Sequence, residues 1–356
     1  MTHDGHARTL TEETARPRLA AAGVPGAAIA LCLDGRFITL GVGSADLGGT
    51  APIPADAAFY LYSITKLFVA AAALRLADEG RLDLDAPLGD VLPVVGYAAD
   101  VPIRRLLDHT GGLPDYGGMP EYHAAVRTDP GSPWSAEAFL GRTLPRGPLF
   151  APGDGWAYSN IGFLLARLAV ERAAGEPLRG VLDRFFFAPL GLRATRVVDT
   201  LADAHGLTPG YSEDLDGPGT VADVTARYHP GWVSHGVVRS NAAETARLLD
   251  ALAGGDLLSP ASRAAMAKAV VVPGDHPPFI RAGYGLGAMI DLASPFGRVL
   301  GHAGGGPGYA TAAFNVLDVA GRRLTVAVLA NRDGNAAALE IAFALTAALA
   351  ASGRSG

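Results

Sequence analysis

The segment Phe59-Tyr60-Leu61-Tyr62-Ser63-Ile64-Thr65-Lys66-Leu67-Phe68-Val69 sets a lysine inside an apolar run. The chain has 29 basic residues, and only two of them, Lys66 and Lys268, are lysine. A sequence that writes nearly every positive charge as arginine has a chemical reason for lysine at 66. Ser63 and Lys66 stand three apart, which puts both side chains on one face of a helical turn. A serine hydroxyl is a poor nucleophile until a base takes its proton, and a lysine amine can be that base once desolvation lowers its pKa. Arginine cannot, because its guanidinium stays protonated. The segment stays apolar on nearly every side to about Asp78, with Gly80 placed to end it, so a core helix is expected from Ser63 to Asp78. A serine opening such a helix has a free backbone N–H that can receive the oxygen of an attacked carbonyl. With 13 Ser and two Lys in 356 residues, about 0.07 such pairs arise by chance. The plain alternative is an N-cap serine beside a snorkelling lysine.

Hairpins frame the chain. Residues 25–43 read as two strands joined at Asp34-Gly35, with Cys32 a small buried hydrophobe in the first, and residues 309–331 as two more across Ala320-Gly321. Helices are expected over 9–22, from Asn335 to about Ala350, and after Asn241, which has capping-box spacing to Glu244. The middle is a Pro- and Gly-punctuated series of shorter helices. This pattern predicts an α+β fold, an α/β sandwich with one antiparallel sheet built from both chain ends. Residues 1–80 and 236–356 supply that sheet and its flanking helices, a mostly helical domain spans 81–235, and the active site lies in the cleft between them.

Two further motifs bear chemistry. In Tyr158-Ser159-Asn160 an extended backbone turns Tyr158 and Asn160 the same way. A phenol near Lys66 could shuttle protons, and Asn160 could orient Lys66 and hold a substrate carbonyl. A buried tyrosine followed by an asparagine that caps the helix from Ile161 fits the same residues. In Gly301-His302-Ala303-Gly304-Gly305-Gly306-Pro307-Gly308-Tyr309 the glycines allow close backbone approach, and an edge strand there could supply a second N–H to an oxyanion. His302 could bind an anionic or polar group, or tune Lys66 and Tyr158. A plain turn is the alternative.

The ordered set S-x-x-K, Y-x-N and H-x-G at positions 63, 158 and 302 resembles the serine β-lactamase and penicillin-recognising hydrolase superfamily. The likeness is to the branch of class C β-lactamases, D-alanyl-D-alanine carboxypeptidases, D-aminopeptidases and β-lactamase-like esterases. Residues 103–116, I-R-R-L-L-D-H-T-G-G-L-P-D-Y, and the stretch from Gly231 to Leu252 extend it over roughly residues 20–345. The resemblance implies the β-lactamase/transpeptidase-like fold and a covalent route in which Ser63 attacks while Lys66 and Tyr158 move protons. It implies Asn160, His302, Gly304 and Gly305 as substrate-binding positions. The N–H groups of Ser63 and Gly305 would form the oxyanion hole, with the glycine run leaving the register open by one residue. Where a β-lactamase of this branch usually carries K-T-G, this chain has His302-Ala303-Gly304, which is more typical of peptidases and esterases. The class A E-x-x-L-N segment is absent.

Charge excludes other classes. The net charge of −6 and the absence of a Lys/Arg cluster argue against nucleic-acid and anionic-membrane surfaces. No apolar run is long enough to span a bilayer, and no export signal is visible, so a cytoplasmic location is expected. A single cysteine forms no internal disulfide, and no histidine spacing suggests a metal. The expected function is a cofactor-free serine hydrolase cleaving a small ester or amide through acyl-Ser63. The alternative is an acyltransferase on the same intermediate, followed by a D-amino-acid peptidase, a β-lactamase or an inactive binding module. A small molecule is the expected partner, and the sequence does not specify an oligomeric state.

Overall fold

The computed structural model describes residues 3–93 and 96–353. Its centre is an eight-stranded antiparallel sheet drawn from both ends of the chain, as the hairpins led one to expect. The strands are β1 (Gly26–Leu33), β2 (Arg36–Gly43), β3 (Val270–Val271), β4 (Ala282–Tyr284), β5 (Met289–Asp291), β6 (Val299–Gly306), β7 (Tyr309–Val319) and β8 (Arg322–Ala330). Their order is β2-β1-β8-β7-β6-β5-β4-β3. The N-terminal hairpin docks on the C-terminal one, with Ile29 opposite Val328 and Ala30 opposite Ala327. Both hairpin turns carry two consecutive left-handed residues, Asp34 and Gly35 (φ 48° and 83°) and Ala320 and Gly321 (φ 54° and 79°). That conformation matches the twist of the flanking strands.

The helices that cover the sheet or position the site are α1 (His3–Ala21), α2 (Thr65–Asp78), α3 (Asn160–Ala174), α4 (Ala242–Gly254) and α5 (Ala337–Gly353). One sheet face carries Ile29, Leu31, Val326 and Val328 and is buried with α1 and α5. The other carries Ala28, Ala30 and Ala327, whose short side chains let α4 approach closely. Burial on both faces is why these antiparallel strands read as nearly continuous apolar runs. Cys32 is fully buried in β1, and burial pushes its thiol up to about 11, so it behaves as an apolar filler.

Most of the segment between β2 and β3 is helix and turn. A three-stranded sheet there sets Val237–Asn241 between Ala58–Tyr60 and Arg196–Val198. Gly80 ends α2 with a left-handed φ of 67°, as expected. Three local expectations change. Helix α2 begins at Thr65, because Tyr62–Ile64 form a separate 3-10 turn. The expected capping box is half formed: Asn241 accepts from the Glu244 N–H at 2.8 Å. The Glu244 carboxylate instead accepts from the N–H groups of Arg193 and Ala194 and the Thr195 hydroxyl, tying down the neighbouring segment. The third is the cap of α3, described below. Among the described residues no helix is long and apolar enough to cross a membrane. No group of three or more His, Cys, Asp or Glu among them could hold a metal ion.

Candidate active site

Strand pairing aims Ser63. Ala58–Tyr60 pairs with residues 239–241, the Leu61 N–H donates to the Val238 carbonyl at 2.8 Å, and the chain then reverses at Tyr62. Tyr62 has φ 47°, a left-handed conformation that a bulky residue adopts only when its surroundings dictate it. They do. The Tyr62 ring packs against Tyr60, Tyr228 and Tyr309, and its hydroxyl donates to the Pro307 carbonyl at 2.5 Å. The 3-10 turn uses the N–H groups of Ile64 and Thr65, leaving that of Ser63 outside its ladder.

Strand β6 runs alongside, and its glycines differ in purpose. A Cβ at Gly304 would stand 2.2 Å from the Leu61 carbonyl oxygen and 3.0 Å from the Ser63 nitrogen. A Cβ at Gly306 would stand 2.5 Å from the Tyr62 ring. A Cβ at Gly305 would have nothing within 4 Å, and Gly305 lines the cleft in front of Ser63. The register of the glycine run follows from this. Gly304 is consumed by close packing on the Leu61 backbone, whereas Gly305 lines the cleft.

Lys66 is completely buried, yet its amine lies 3.1 Å from Ser63 Oγ and 2.8 Å from Asn160 Oδ1. The Tyr158 hydroxyl donates to Ser63 Oγ at 2.9 Å. Lys66 and Tyr158 thus converge on the Ser63 hydroxyl, and Asn160 joins them through Lys66. Burial holds the Lys66 amine well below its ordinary pKa, and the Asp115 carboxylate pulls it partly back. The amine also lies 4.9 Å and 5.5 Å from the ring centroids of Tyr158 and Phe163. Ring faces favour the ammonium by about 0.5–2 kcal/mol, or up to about 1.5 pKa units, whereas full burial opposes it by up to about 3–5 units. Burial wins, so the amine gives up its proton more readily than an ordinary lysine. Burial pushes the Tyr158 phenol the other way, above its ordinary value. An unperturbed phenol is ionised to only about one part in 10³ at pH 7. Tyr158 is therefore a proton donor at rest, and Lys66 is the group beside Ser63 suited to take up a proton.

Asn160 is oriented by Asp115, which accepts from its backbone N–H at 2.7 Å and its Nδ2 at 3.2 Å, leaving Oδ1 to face Lys66. The expectation that Asn160 caps a helix from Ile161 is corrected: Ser159 is the cap, its Oγ accepting the Gly162 N–H at 3.0 Å, and Asn160 is the first residue of α3. His302 also differs from expectation. It is fully buried, accepts from the Tyr284 hydroxyl at Nε2 (2.9 Å) and donates from Nδ1 to the Ala303 carbonyl. Burial drives its pKa down to about 3, so it is neutral, and it does not line the cleft. It braces Tyr284 under the site and does not bind an anion as a cation.

The structure adds residues that the sequence reading did not select. Asp115 lies within the quoted 103–116 stretch, and nothing in its spacing pairs it with Asn160. His109 has φ 61° and packs 4.4 Å from the Tyr158 ring, and its Nδ1 accepts the Ser159 N–H. His235, set aside for lack of metal-ligand spacing, lies 3.3 Å and 3.2 Å from Lys66 through its two ring nitrogens. In front of Ser63 opens a cleft of ≈ 290 Å³ walled by Tyr116, Tyr122, Tyr228, Trp232, Val126 and Val233. Tyr211 lies outside this cleft, where its hydroxyl donates to the Ala45 carbonyl.

A beta-lactamase family model matches residues 11–351. Penicillin-binding protein 4* of Bacillus subtilis (strain 168) is 28% identical over 310 residues, covering 82% of this chain and 64% of that protein. Esterase EstB of Burkholderia gladioli is 37% identical over 163 residues, covering 42% of this chain and 41% of that protein. The chain therefore spans less than two thirds of the length of either relative. The crystal structure of a D-stereospecific amidohydrolase from Streptomyces sp. superimposes with a TM-score of 0.80 at 28% identity, over 94% of this chain and 98% of that one. With the family match running nearly end to end, over residues 11–351, the chain belongs to the beta-lactamase family.

Proposed function

We propose that this protein is a serine hydrolase that cleaves a small ester or amide through an acyl-Ser63 intermediate. The observation that carries it is the meeting of Lys66 Nζ and the Tyr158 hydroxyl on Ser63 Oγ, at 3.1 Å and 2.9 Å, beside an open cleft. Ser63 Oγ attacks the carbonyl while its proton passes to Lys66. The Ser63 and Gly305 N–H groups receive the oxyanion. Tyr158 gives its proton to the departing alcohol or amine and is reprotonated from Lys66. Water then repeats the sequence on the ester, and the acid leaves. The aromatic walls suit an apolar or aromatic acyl group. Relatives named as an esterase and a penicillin-binding protein are compatible with this chemistry. A cytoplasmic setting belongs to the same proposal and fits the lone buried Cys32.

A second reading, transfer of the acyl group to an acceptor, has one specific support. Tyr158 also lines a second cleft, with Trp156, Val272, Phe279, Tyr284 and Met289, which could hold an acceptor beside the Tyr158 ring. The test is turnover of p-nitrophenyl acetate, p-nitrophenyl butyrate and a chromogenic cephalosporin by wild type and Ser63→Ala, with and without added alcohols. Ser63-dependent ester turnover with little cephalosporin cleavage is expected. Equal turnover by Ser63→Ala overturns the proposal, and acceptor-dependent acceleration moves acyl transfer to first place.

A further inference from the structure

His235 stands between the cleft and the lysine. It lines the cleft and is only 2% exposed, whereas Lys66 behind it is 0% exposed and does not reach the cleft. Its geometry toward the amine is unusual for a histidine. An amine hydrogen-bonded in the imidazole plane is close to one ring nitrogen and far from the other. Here the distances are 3.3 Å and 3.2 Å, which puts Lys66 Nζ over the ring face. The rings of Tyr158 and Phe163 flank the same amine. The segment carrying His235 is fixed on both sides, since the Ser234 N–H donates to the Tyr116 hydroxyl at 3.2 Å and the Gly236 N–H to the Val233 carbonyl at 2.8 Å.

We propose that His235 is a positioning residue for Lys66: its ring face seals the amine from cleft water and holds it against Ser63 and Asn160. The inference rests on the Ser63–Lys66 hydrolase reading above. His235 does not act as a base in this scheme. Burial above all disfavours its protonation, the Arg167 guanidinium adds to that, and a hydrogen bond with the Tyr62 carbonyl offsets it only in part. The groups acting on Lys66 are Asp115, which favours the ammonium, and His109, His235 and His302, which burial keeps neutral. Sealing therefore controls the remaining variable, which is water at the amine.

The test is the pH profile of kcat/KM for p-nitrophenyl butyrate with wild type, His235→Ala and His235→Phe. Opening the seal in His235→Ala hydrates the ammonium, so the acid limb is expected to move up by about one pH unit, a roughly tenfold loss on that limb. The plateau at higher pH is expected to stay within about threefold of wild type. Phenylalanine restores a dry aromatic face without a titrating nitrogen, so His235→Phe should return the limb to near the wild-type position. The Tyr62 carbonyl keeps the Thr65 N–H in that variant. Should His235→Ala not fold, His235→Gln, which keeps polarity without an aromatic face, carries the same expected shift. A pH-independent drop, with the limb unmoved, would mean a structural role only and overturns the proposal. So does a His235→Phe enzyme as impaired as His235→Ala, which would make the imidazole itself the base. Failure of the underlying reading is separate: it would appear as Ser63→Ala retaining full turnover in the same assay.

Discussion

Two neighbouring glycines in β6 should respond oppositely to alanine. In Gly304→Ala the new methyl would stand 2.2 Å from the Leu61 carbonyl oxygen and 2.7 Å from Thr311 Oγ1. The first contact is about 1 Å short of van der Waals separation, and its partner is backbone that cannot swing aside. Leu61 is itself pinned by its N–H bond to Val238, and its carbonyl accepts from Thr311 Oγ1 at 3.1 Å. Strand β6 must then retreat from the Ser63 turn. Overpacking of this kind costs about 3 kcal/mol, or about 4 °C in Tm for a chain of this size. Displacing Gly305 from Ser63 by about 1 Å should lower kcat/KM by about 10²-fold. Gly305→Ala meets nothing within 4 Å, so its Tm should stay within about 1 °C of wild type while its methyl, entering the cleft, costs at most about tenfold in kcat/KM. Thermal melts and ester kinetics on the two purified variants decide it. A Gly304→Ala protein with wild-type Tm and rate would refute the claim that strand β6 is locked against the serine turn.

Lys66→Arg should abolish covalent labelling of Ser63 by a serine-directed phosphonate, because a guanidinium cannot take the serine proton; near-normal labelling would remove Lys66 as the base. Tyr158→Phe should slow ester turnover by about 10²-fold or more, the scale of a lost proton donor, and a full-rate variant would locate the shuttle elsewhere. The fold should also be acid-sensitive. His109, His235 and His302 are buried with pKa values depressed below 6.5, so below that value the unfolded chain binds protons that the native state does not. Their stabilisation is present above pH 6.5 and is lost as pH falls toward their folded values. Asp333, raised to about 6 by burial, works the other way, gaining its proton in the native state first and adding stability as pH falls from about 6 toward 3.8. Three depressed histidines outweigh the two carboxylates that burial raises, Asp333 and Asp108, so stability should fall as pH drops below about 6. Urea midpoints that do not change between pH 7 and pH 5 would contradict the neutral, buried state of these histidines.

The sheet was legible because its signals are local. Asp34-Gly35 and Ala320-Gly321 demand left-handed turns, and the apolar runs beside them are what strands buried on both faces require. Lys66 was legible for a chemical reason: a lysine among arginines, three residues past a serine, has few uses other than proton transfer. The cap of α3 was misread because Ser159 and Asn160 are both competent caps, and the choice is made at a distance, where Asp115 takes the Asn160 N–H and amide. The half-formed box at Asn241 failed similarly, when backbone donors at 193 and 194 claimed the Glu244 carboxylate.

The amino-acid sequence by itself determined the sheet, the core helix and the choice of Ser63, Lys66 and Tyr158 as the residues that meet, because turn chemistry, apolar periodicity and proton affinity are properties of residues and their spacing. Tertiary structure decided which of those residues face the cleft. His302 and Gly304 share a strand with Gly305, yet only Gly305 opens onto it, since the other two are taken up by Tyr284 and by the Leu61 backbone. Nothing near His235 in sequence links it to Lys66, which is 169 positions away. Contacts between distant segments, and the burial that moves a proton from one group to another, exist only once the chain has closed around them.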